Sequence, residues 1–303
     1  VSLSNRILDS LLFWKYDILF SYFYRYSFFA ALLAKCFGKK TYFTGGIDSL
    51  DSDYASAFNY KIQALFFKLC YWVADSCIIV SQSDLKNIFK VSSLKKKLSY
   101  SEHVINTKLF IADVPKEKIF TSIVWMGDEG NVVRKGVDKA LQIFAELKKI
   151  PEFVDYRFVI IGRKGEGEVL VRSIIDKYNL KGSVELKGEV SEEDKINLLK
   201  QSKYYFQLSL YEGFGLAALE ALCANNIIIH SGKGGLANPI YKEQLLFDID
   251  NDFDSELLKL VNKLACFTPI TSYDNLLEYY DIQRRKDDFE AIIVNGKSNY
   301  KLK

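Results

Sequence analysis

Residues 204–224 read YYFQLSLYEGFGLAALEALCA. The first seven are aromatic and leucine-rich, the pattern of a buried strand, and the last nine are the apolar body of a short helix. Between them lies a turn containing Gly213 and Gly215. A strand, a glycine-bearing turn and a helix form the step from which parallel sheets are built. At such a turn the backbone N–H groups at Phe214, Gly215 and Leu216 are helix-start donors with no intrahelical acceptor. The glycines let a ligand approach that backbone closely, and the helix dipole favours anionic groups there. Glu212 stands before the turn and Glu220 a turn or so inside the helix, with seven residues between them. Two carboxylates so placed can accept hydroxyl hydrogens from different directions while the amides hold phosphate oxygens. Such a site suits a nucleotide sugar. Taken alone, the pair of glutamates reads equally as an ordinary helix with a solvated acid at each end.

The same alternation extends outward in both directions. Before it come IFTSIVWMG (119–127), KGVDKALQIFAELKKI (135–150), YRFVIIG (156–162), GEVLVRSIIDKYNL (167–180), SVELKG (183–188) and SEEDKINLLKQS (191–202), strands and helices in turn. Ser191, followed by acids, is an expected N-cap. After it come NIIIHSG (226–232), LLFDID (245–250) and two C-terminal helices, SELLKLVNKLACF (255–267) and the region of YDNLLEYY (273–280). A shorter series precedes it: YDILFSY (16–22), FFAALLAKCFG (28–38), KTYFTGG (40–46), KIQALFFKLCYWVA (61–74), CIIVS (77–81), DLKNIFKV (84–91) and LSYSEHVI (98–105). The polar stretch TKLFIADVPKEK (107–118) separates the two series. The expected fold class is therefore α/β, with two Rossmann-type doubly wound domains facing a cleft and ligands at the carboxyl ends of the strands. The domains are expected at 1–112 and 113–303, the last helix crossing back.

The chain has 303 residues, 49% hydrophobic and 26% charged, a globular mix with room for two domains. A net charge of +3 is too weak to propose nucleic acid as a partner. The charge is uneven: residues 1–118 carry +6 and the rest −3. The basic part also holds ten aromatics between Phe13 and Phe29, so peripheral contact with an anionic membrane surface is compatible with it. No run of about 18 uncharged apolar residues exists to span a bilayer, and no signal peptide is evident. Five scattered cysteines, without a CxxC or zinc-ligand spacing, read as reduced structural thiols in a cytoplasmic protein.

On EGFGL with Glu212 and Glu220, on WMGDEGNVVRKGVDKALQIFAELK (125–148), FVIIGRKGEGE (158–168), VELKGEVSEED (184–194) and IIIHSGKGGLANPI (227–240), the sequence resembles the retaining glycosyltransferases of family 4, which have the GT-B fold. In the first half ADSCIIVSQSDLKNIF (74–89) and EHVINTKLF (102–110) resemble the family more loosely. The resemblance implies that Glu212 binds the donor sugar's hydroxyls and Glu220 the ribose hydroxyls. It implies that Gly213, Phe214, Gly215 and Leu216 hold sugar and pyrophosphate through the backbone, and that Lys135 neutralises the leaving phosphate. Gly188 would meet the base. The implied substrate is a UDP- or GDP-linked sugar, with no cofactor and no metal, and the partner a glycan or lipid-linked acceptor.

Several positions depart from the family. Asp128 follows Gly127 where an arginine is usual, leaving Arg134 and Arg163 as candidates for the phosphate cation. Ala217 and Asn238 stand where proline and glutamate are common, and TGGID (44–48) replaces a histidine-bearing strand end. No early glycine-rich loop is present and the sole methionine is Met126, so a missing N-terminal part, leaving the first domain without its first strands, is the expectation. GRKGEG (162–167) is a loop rather than a dinucleotide fingerprint, and DSD (51–53) carries no weight as a metal motif, because the chain offers three more by chance. His103 and His230 read as structural. The expected function is retaining sugar transfer from a nucleotide diphosphate donor in cell-surface polysaccharide synthesis. The alternative is a non-catalytic nucleotide-sugar-binding or partner subunit.

Overall fold

Among the described residues every strand pairing is parallel, and the strands sort into two sheets, one of four strands and one of six. The computed structural model describes residues 16–22, 24–45, 50, 55–91, 96–111, 114–267 and 274–296. DSD (51–53) and most of TGGID (44–48) lie outside the described residues.

The first sheet comprises β1 (Ile18–Ser21), β2 (Lys40–Thr44), β3 (Ser76–Ile79) and β4 (Leu98–Tyr100), side by side in chain order. The connections are α1 (Tyr24–Cys36), α2 (Ala57–Val73) and α3 (Gln82–Val91). Helix α1 buries Tyr24, Phe28, Ala31 and Ala34 at helical spacing. It stops where Gly38 takes φ 73° and Lys39 N–H returns to the Ala34 carbonyl. The strands divide their side chains by parity. Phe43, Cys77 and Ile79 meet α1 and α2, while Tyr42 and Ile78 meet Phe20, Phe289 and Ile292 on the other face. Those last two residues belong to α11 (Ile282–Asn295).

The chain accordingly divides into one compact unit of residues 1–103 with 283–303 and another of residues 104–282. The boundary differs from the expected 112/113, and the last helix, whose crossing back is part of the expected division, is a third one beyond the two read at the C-terminus. The segment after His103 belongs to the second unit because Ile105 and Phe110 are buried in its core beside Tyr280. A third C-terminal helix, α11, follows the two expected ones and closes the far face of the first sheet with the Phe20–Phe289 stack, centroids 5.3 Å apart.

The second unit contains β5 (Glu117–Ile123), α4 (Glu129–Arg134), α5 (Val137–Leu147), β6 (Arg157–Ile161), α6 (Glu168–Lys177), β7 (Val184–Gly188) and α7 (Glu192–Gln201). Then follow β8 (Ser202–Gln207), α8 (Leu216–Cys223), β9 (Ile227–His230), β10 (Leu245–Leu246), α9 (Phe253–Cys266) and α10 (Asp274–Tyr279). The spatial order is β7-β6-β5-β8-β9-β10. Succession therefore runs outward one way from β5 and then the other way from β8. The crevice at the carboxyl ends of β5 and β8 is the topological switch point, where doubly wound sheets take ligands. One side of β8 joins the main core through Tyr204, Phe206 and Leu208, with Phe120 stacked 4.6 Å from Tyr204. The other side presents Tyr205, Gln207 and Ser209.

Candidate functional site

Two segments meet at that switch point. Residues 134–136 leave α4, and residues 208–212 leave β8. Leu210 N–H donates to the Arg134 carbonyl at 2.8 Å. Gly136 has φ 69°, and a Cβ there would lie 2.0 Å from the Leu208 carbonyl oxygen, so only glycine lets the end of α4 come this close to the exit of β8. Between the two contacts, Lys135 Nζ donates to Glu212 Oε2 at 2.7 Å, both side chains largely buried.

Glu212 is held by more than its lysine. Gln207 Nε2 donates to the same oxygen at 3.2 Å and Ser209 Oγ at 3.3 Å. The amide's orientation follows from its own partners. Ile123 N–H donates to Tyr205 Oη at 3.3 Å, so that hydroxyl gives its hydrogen to Gln207 Oε1 at 3.1 Å. Gln207 must then aim its NH₂ at Ser209, 2.8 Å away, and at Glu212. The three donors engage Oε2, which leaves Oε1 as the oxygen offered to a ligand hydroxyl.

The turn behind Glu212 is fixed by residues 234–235. Gly235 N–H bonds the Glu212 carbonyl at 2.5 Å, and a Cβ on Gly234 would lie 2.2 Å from that oxygen. Gly215, at φ 88°, caps α8, and its carbonyl accepts from Tyr241 Oη at 3.3 Å. Gly213 belongs to the same turn, its carbonyl 2.7 Å from where a Cβ on Gly235 would sit. The Phe214 ring is buried, 6.2 Å from Tyr280, so only its backbone is available to a ligand; Leu216 is partly exposed. Helix α8 opens at Leu216, and the amides of its first turn have no carbonyl of their own helix to bond.

Glu220 has a different partner. Lys195, on α7, donates to it at 3.0 Å and also pairs with Glu192 at 2.8 Å. Burial raises the Glu220 carboxyl above its usual range, and the Lys195 bond only partly offsets this. Burial pulls Lys195 down, but its two glutamates outweigh that, and its pKa is raised. Both site glutamates are near enough to Tyr205 for their charges to add to the burial that raises its hydroxyl.

The remaining expected residues are not gathered around Glu212. Arg134 turns back on its own helix, Nη2 2.6 Å from Asn131 Oδ1. Asp128 caps α4, its carboxylate accepting from Asn131 N–H at 2.7 Å. Arg163 is exposed, and its carbonyl accepts from Met126 N–H at 2.9 Å. The glycines of GRKGEG serve packing: a Cβ on Gly162 would lie 1.9 Å from the Val124 carbonyl oxygen. Gly188 ends β7 at φ 78° beneath the Lys164 side chain. His230 is enclosed by Tyr241 O at 3.1 Å and Gly232 N–H at 3.2 Å. Among the described residues no group of three or more His, Cys, Asp or Glu could hold a metal.

Gln207, Ser209 and Lys195 are site residues not anticipated from the sequence. The first two carry a legible signal, polar residues at every second position where a buried strand ends. Lys195 carries none, because a lysine within SEEDK reads as a solvated charge.

Residues 130–265 match the family profile described as glycosyl transferases group 1. The GDP-mannose:cellobiosyl-diphosphopolyprenol alpha-mannosyltransferase of Xanthomonas oryzae pv. oryzae is 32% identical over 163 residues, 47% of this chain and 40% of that protein. A phosphatidylinositol N-acetylglucosaminyltransferase subunit of Arabidopsis thaliana is 25% identical over 215 residues, 69% of this chain and 46% of that protein. The chain spans less than half the length of either relative. Among solved structures, Anabaena HepE in complex with UDP-glucose is similar with a TM-score of 0.74, at 12% identity, over 96% of this chain and 81% of that one. Sucrose-phosphate synthase from Thermosynechococcus elongatus is similar with a TM-score of 0.68, at 21% identity, over 93% and 72%. The GT-B-like fold class expected from the sequence therefore stands.

Proposed function

From the premise that residues 130–265 form a domain of the glycosyl transferases group 1 family, we propose that the chain is a retaining glycosyltransferase. It moves a sugar from a UDP- or GDP-linked donor to a glycan or lipid-linked acceptor, in cell-surface polysaccharide synthesis, and needs no cofactor or metal. The observation that carries this reading is the Lys135–Glu212 pair at the switch point, with Glu212 Oε2 saturated by three donors. Oε1 accepts a sugar hydroxyl, and Lys135 faces the phosphate from which the sugar departs. Lys135 then stabilises charge that grows on that phosphate during transfer, and the departing phosphate takes the acceptor hydroxyl's proton. Glu220 takes the ribose hydroxyls, Gly188 lies toward the base, and the amides of residues 213–216 serve the sugar and pyrophosphate. Arg134 and Arg163 reach the phosphates only by leaving their present positions. The acceptor of the GDP-mannose relative is a cellobiosyl-diphosphopolyprenol, and a phosphate-bearing lipid acceptor is the analogous substrate here.

The first unit fits a membrane-proximal, cytoplasmic setting. Helices α1 and α2 expose Phe29, Phe58 and Trp72, each more than 70% accessible, on a unit with Lys61 and Lys68 also exposed on α2. Among the described residues no helix is long and apolar enough to cross a membrane.

The test is a thermal-shift screen against UDP, GDP, ADP and their sugars, followed by transfer assays with the stabilising donor. A ligand at 100 times its Kd stabilises the fold by about 2.7 kcal/mol. No shift with any nucleotide or nucleotide sugar sinks the proposal. A shift without transfer to any acceptor leaves the second reading, a binding subunit. That reading rests on Asp128, which is committed to capping α4 where the family carries arginine.

A further inference from the structure

The carboxyl edge of the first sheet holds a largely buried arginine whose direct hydrogen-bond partners among the described residues are neutral. Arg285, on α11, places Nη1 2.5 Å from His103 Nδ1 and Nη2 3.4 Å from Thr44 Oγ1. Its guanidinium lies 4.9 Å over the Phe289 ring. Because Nδ1 accepts from a guanidinium, the imidazole is neutral with its hydrogen on Nε2. Among the described residues Arg285 makes no ion pair with a carboxylate. Asp288 and Glu102 against Arg284 leave one negative charge nearby, which Arg285 answers at a distance and not by a direct pair. Asp288 is buried one turn along the same helix, the neighbouring Arg284 donates to the Glu102 carbonyl at 3.3 Å, and Tyr100 Oη donates to Glu102 Oε1 at 2.5 Å. Burial draws the guanidinium down to about 10.

A guanidinium carries five N–H donors, and His103 and Thr44 engage only two of its nitrogens, so it retains donors for a further acceptor. The position says what kind. Thr44 ends β2 and His103 follows β4, so Arg285 sits where the loops of a parallel sheet receive ligands. A planar guanidinium beside a hydroxyl that retains its own hydrogen supplies donors from two directions, which suits a tetrahedral oxyanion.

We propose that Arg285, Thr44 and His103 form an anion site in the first unit that takes the phosphate or diphosphate group of a ligand. On the reading of the chain as a transferase, that ligand is a phosphate-bearing acceptor. The site itself shares no residue with the Glu212 machinery.

The experiment is hydrogen exchange on the whole chain with inorganic pyrophosphate added. Slower exchange is expected in residues 101–103 and across α11, separately from any change at residues 212–220. Arg285→Gln should weaken the α11 protection about tenfold or more in pyrophosphate concentration, a charge-assisted bond being lost, while Lys135→Gln leaves it intact. Should Arg285→Gln fail to fold by circular dichroism, the wild-type exchange map and Arg285→Lys, expected to retain partial binding, carry the test. Protection confined to residues 212–220, or α11 protection unchanged in Arg285→Gln, overturns the site. A second arm replaces inorganic pyrophosphate with a short prenyl diphosphate in micelles. Tighter binding of the prenyl form points to a lipid headgroup, and equal binding to a soluble phosphate. Failure of nucleotide-sugar binding with α11 protection intact removes the donor reading and leaves this site standing.

Discussion

Both sheets are built from the same parallel strand–helix step, yet they leave their polar groups in opposite situations. In the second sheet the strand order turns back at β5 and β8, so the segments leaving those strands diverge. The ionisable groups there meet opposite charges, Lys135 with Glu212 and Lys195 with Glu220. In the first sheet the described strands run in one direction, and α11 packs across one face of the sheet. There, among the described residues, Arg285 hydrogen-bonds neutral groups and has Asp288 as a countercharge only at a distance. A reversal of order supplies a crevice with charges already arranged. The unidirectional edge leaves a guanidinium with donors not used by a direct carboxylate.

The largest expected effect sharpens the second-sheet half of this comparison. Glu212→Gln keeps shape and removes the charge that Lys135 faces, and turnover should fall about 10²–10³-fold, the loss typical of one preorganised electrostatic contact. On the proposed reading, in which its carboxylate would meet the ribose in donor and transition state alike, Glu220→Gln should instead raise the donor KM with kcat little changed. Steady-state kinetics of the two variants separates the roles. Equal losses in kcat for both would mean that the glutamates act as one unit and that the assignment of distinct roles is wrong.

How much of this was legible depends on where each partner lies in the chain. The step at 204–224 can be read because its period changes within a few residues, and the turn chemistry sits at the change. The order of elements from β5 to β9 follows from the same local signals, as does the Ser191 cap, whose hydroxyl accepts from Asp194 N–H at 3.0 Å. Helix α11 escapes, because its apolar face is only Phe289, Ile292 and Ile293 within a charged stretch. Its partners Phe20, Tyr42 and Ile78 lie at the opposite end of the sequence. The Lys195–Glu220 pair escapes for the same reason: it is made by tertiary packing of α7 beside α8. Asp128 is the instructive departure. A family comparison reads it as a lost arginine, whereas locally it is a helix cap, which sequence reasoning about the first turn of α4 could have found.

A smaller effect compares the two histidines, one in each unit. Burial pulls both His230 and His103 down to about 4, with Lys263 adding to the effect at His230 and Arg285 at His103. In the unfolded chain each titrates near 6.5. The unfolded state therefore binds the proton first as pH falls. The stability due to each neutral ring is complete above about pH 6.5 and is lost as pH falls toward 4. For His230, enclosed by backbone groups, the loss should reach about 3 kcal/mol. Denaturant unfolding at pH 7 and pH 4.5 checks it: His230→Gln should flatten the difference in the second unit, and His103→Gln in the first. If pH dependence survives in the His230 variant, carboxylates rather than this imidazole govern acid lability.

The smallest effect concerns the exposed face of α2 in the first unit. Phe58, Lys61, Leu65, Lys68 and Trp72 recur at intervals of three and four along α2, and all are exposed. An apolar helical stripe punctuated by lysines is what an anionic bilayer surface accommodates, the rings entering the headgroup boundary and the ammonium groups meeting lipid phosphates. Each juxtamembrane lysine contributes about 1 kcal/mol near such a surface. Flotation with vesicles containing a fraction of anionic lipid should therefore recover the wild-type chain at low salt. Lys68→Gln should reduce binding severalfold, and Trp72→Ala should reduce it even on neutral vesicles. Salt separates the two contributions, because screening at high ionic strength weakens the lysine part and leaves the tryptophan part. Binding that ignores both substitutions would place the contact elsewhere, and the basic charge of residues 1–118 would then mark solubility rather than a lipid surface.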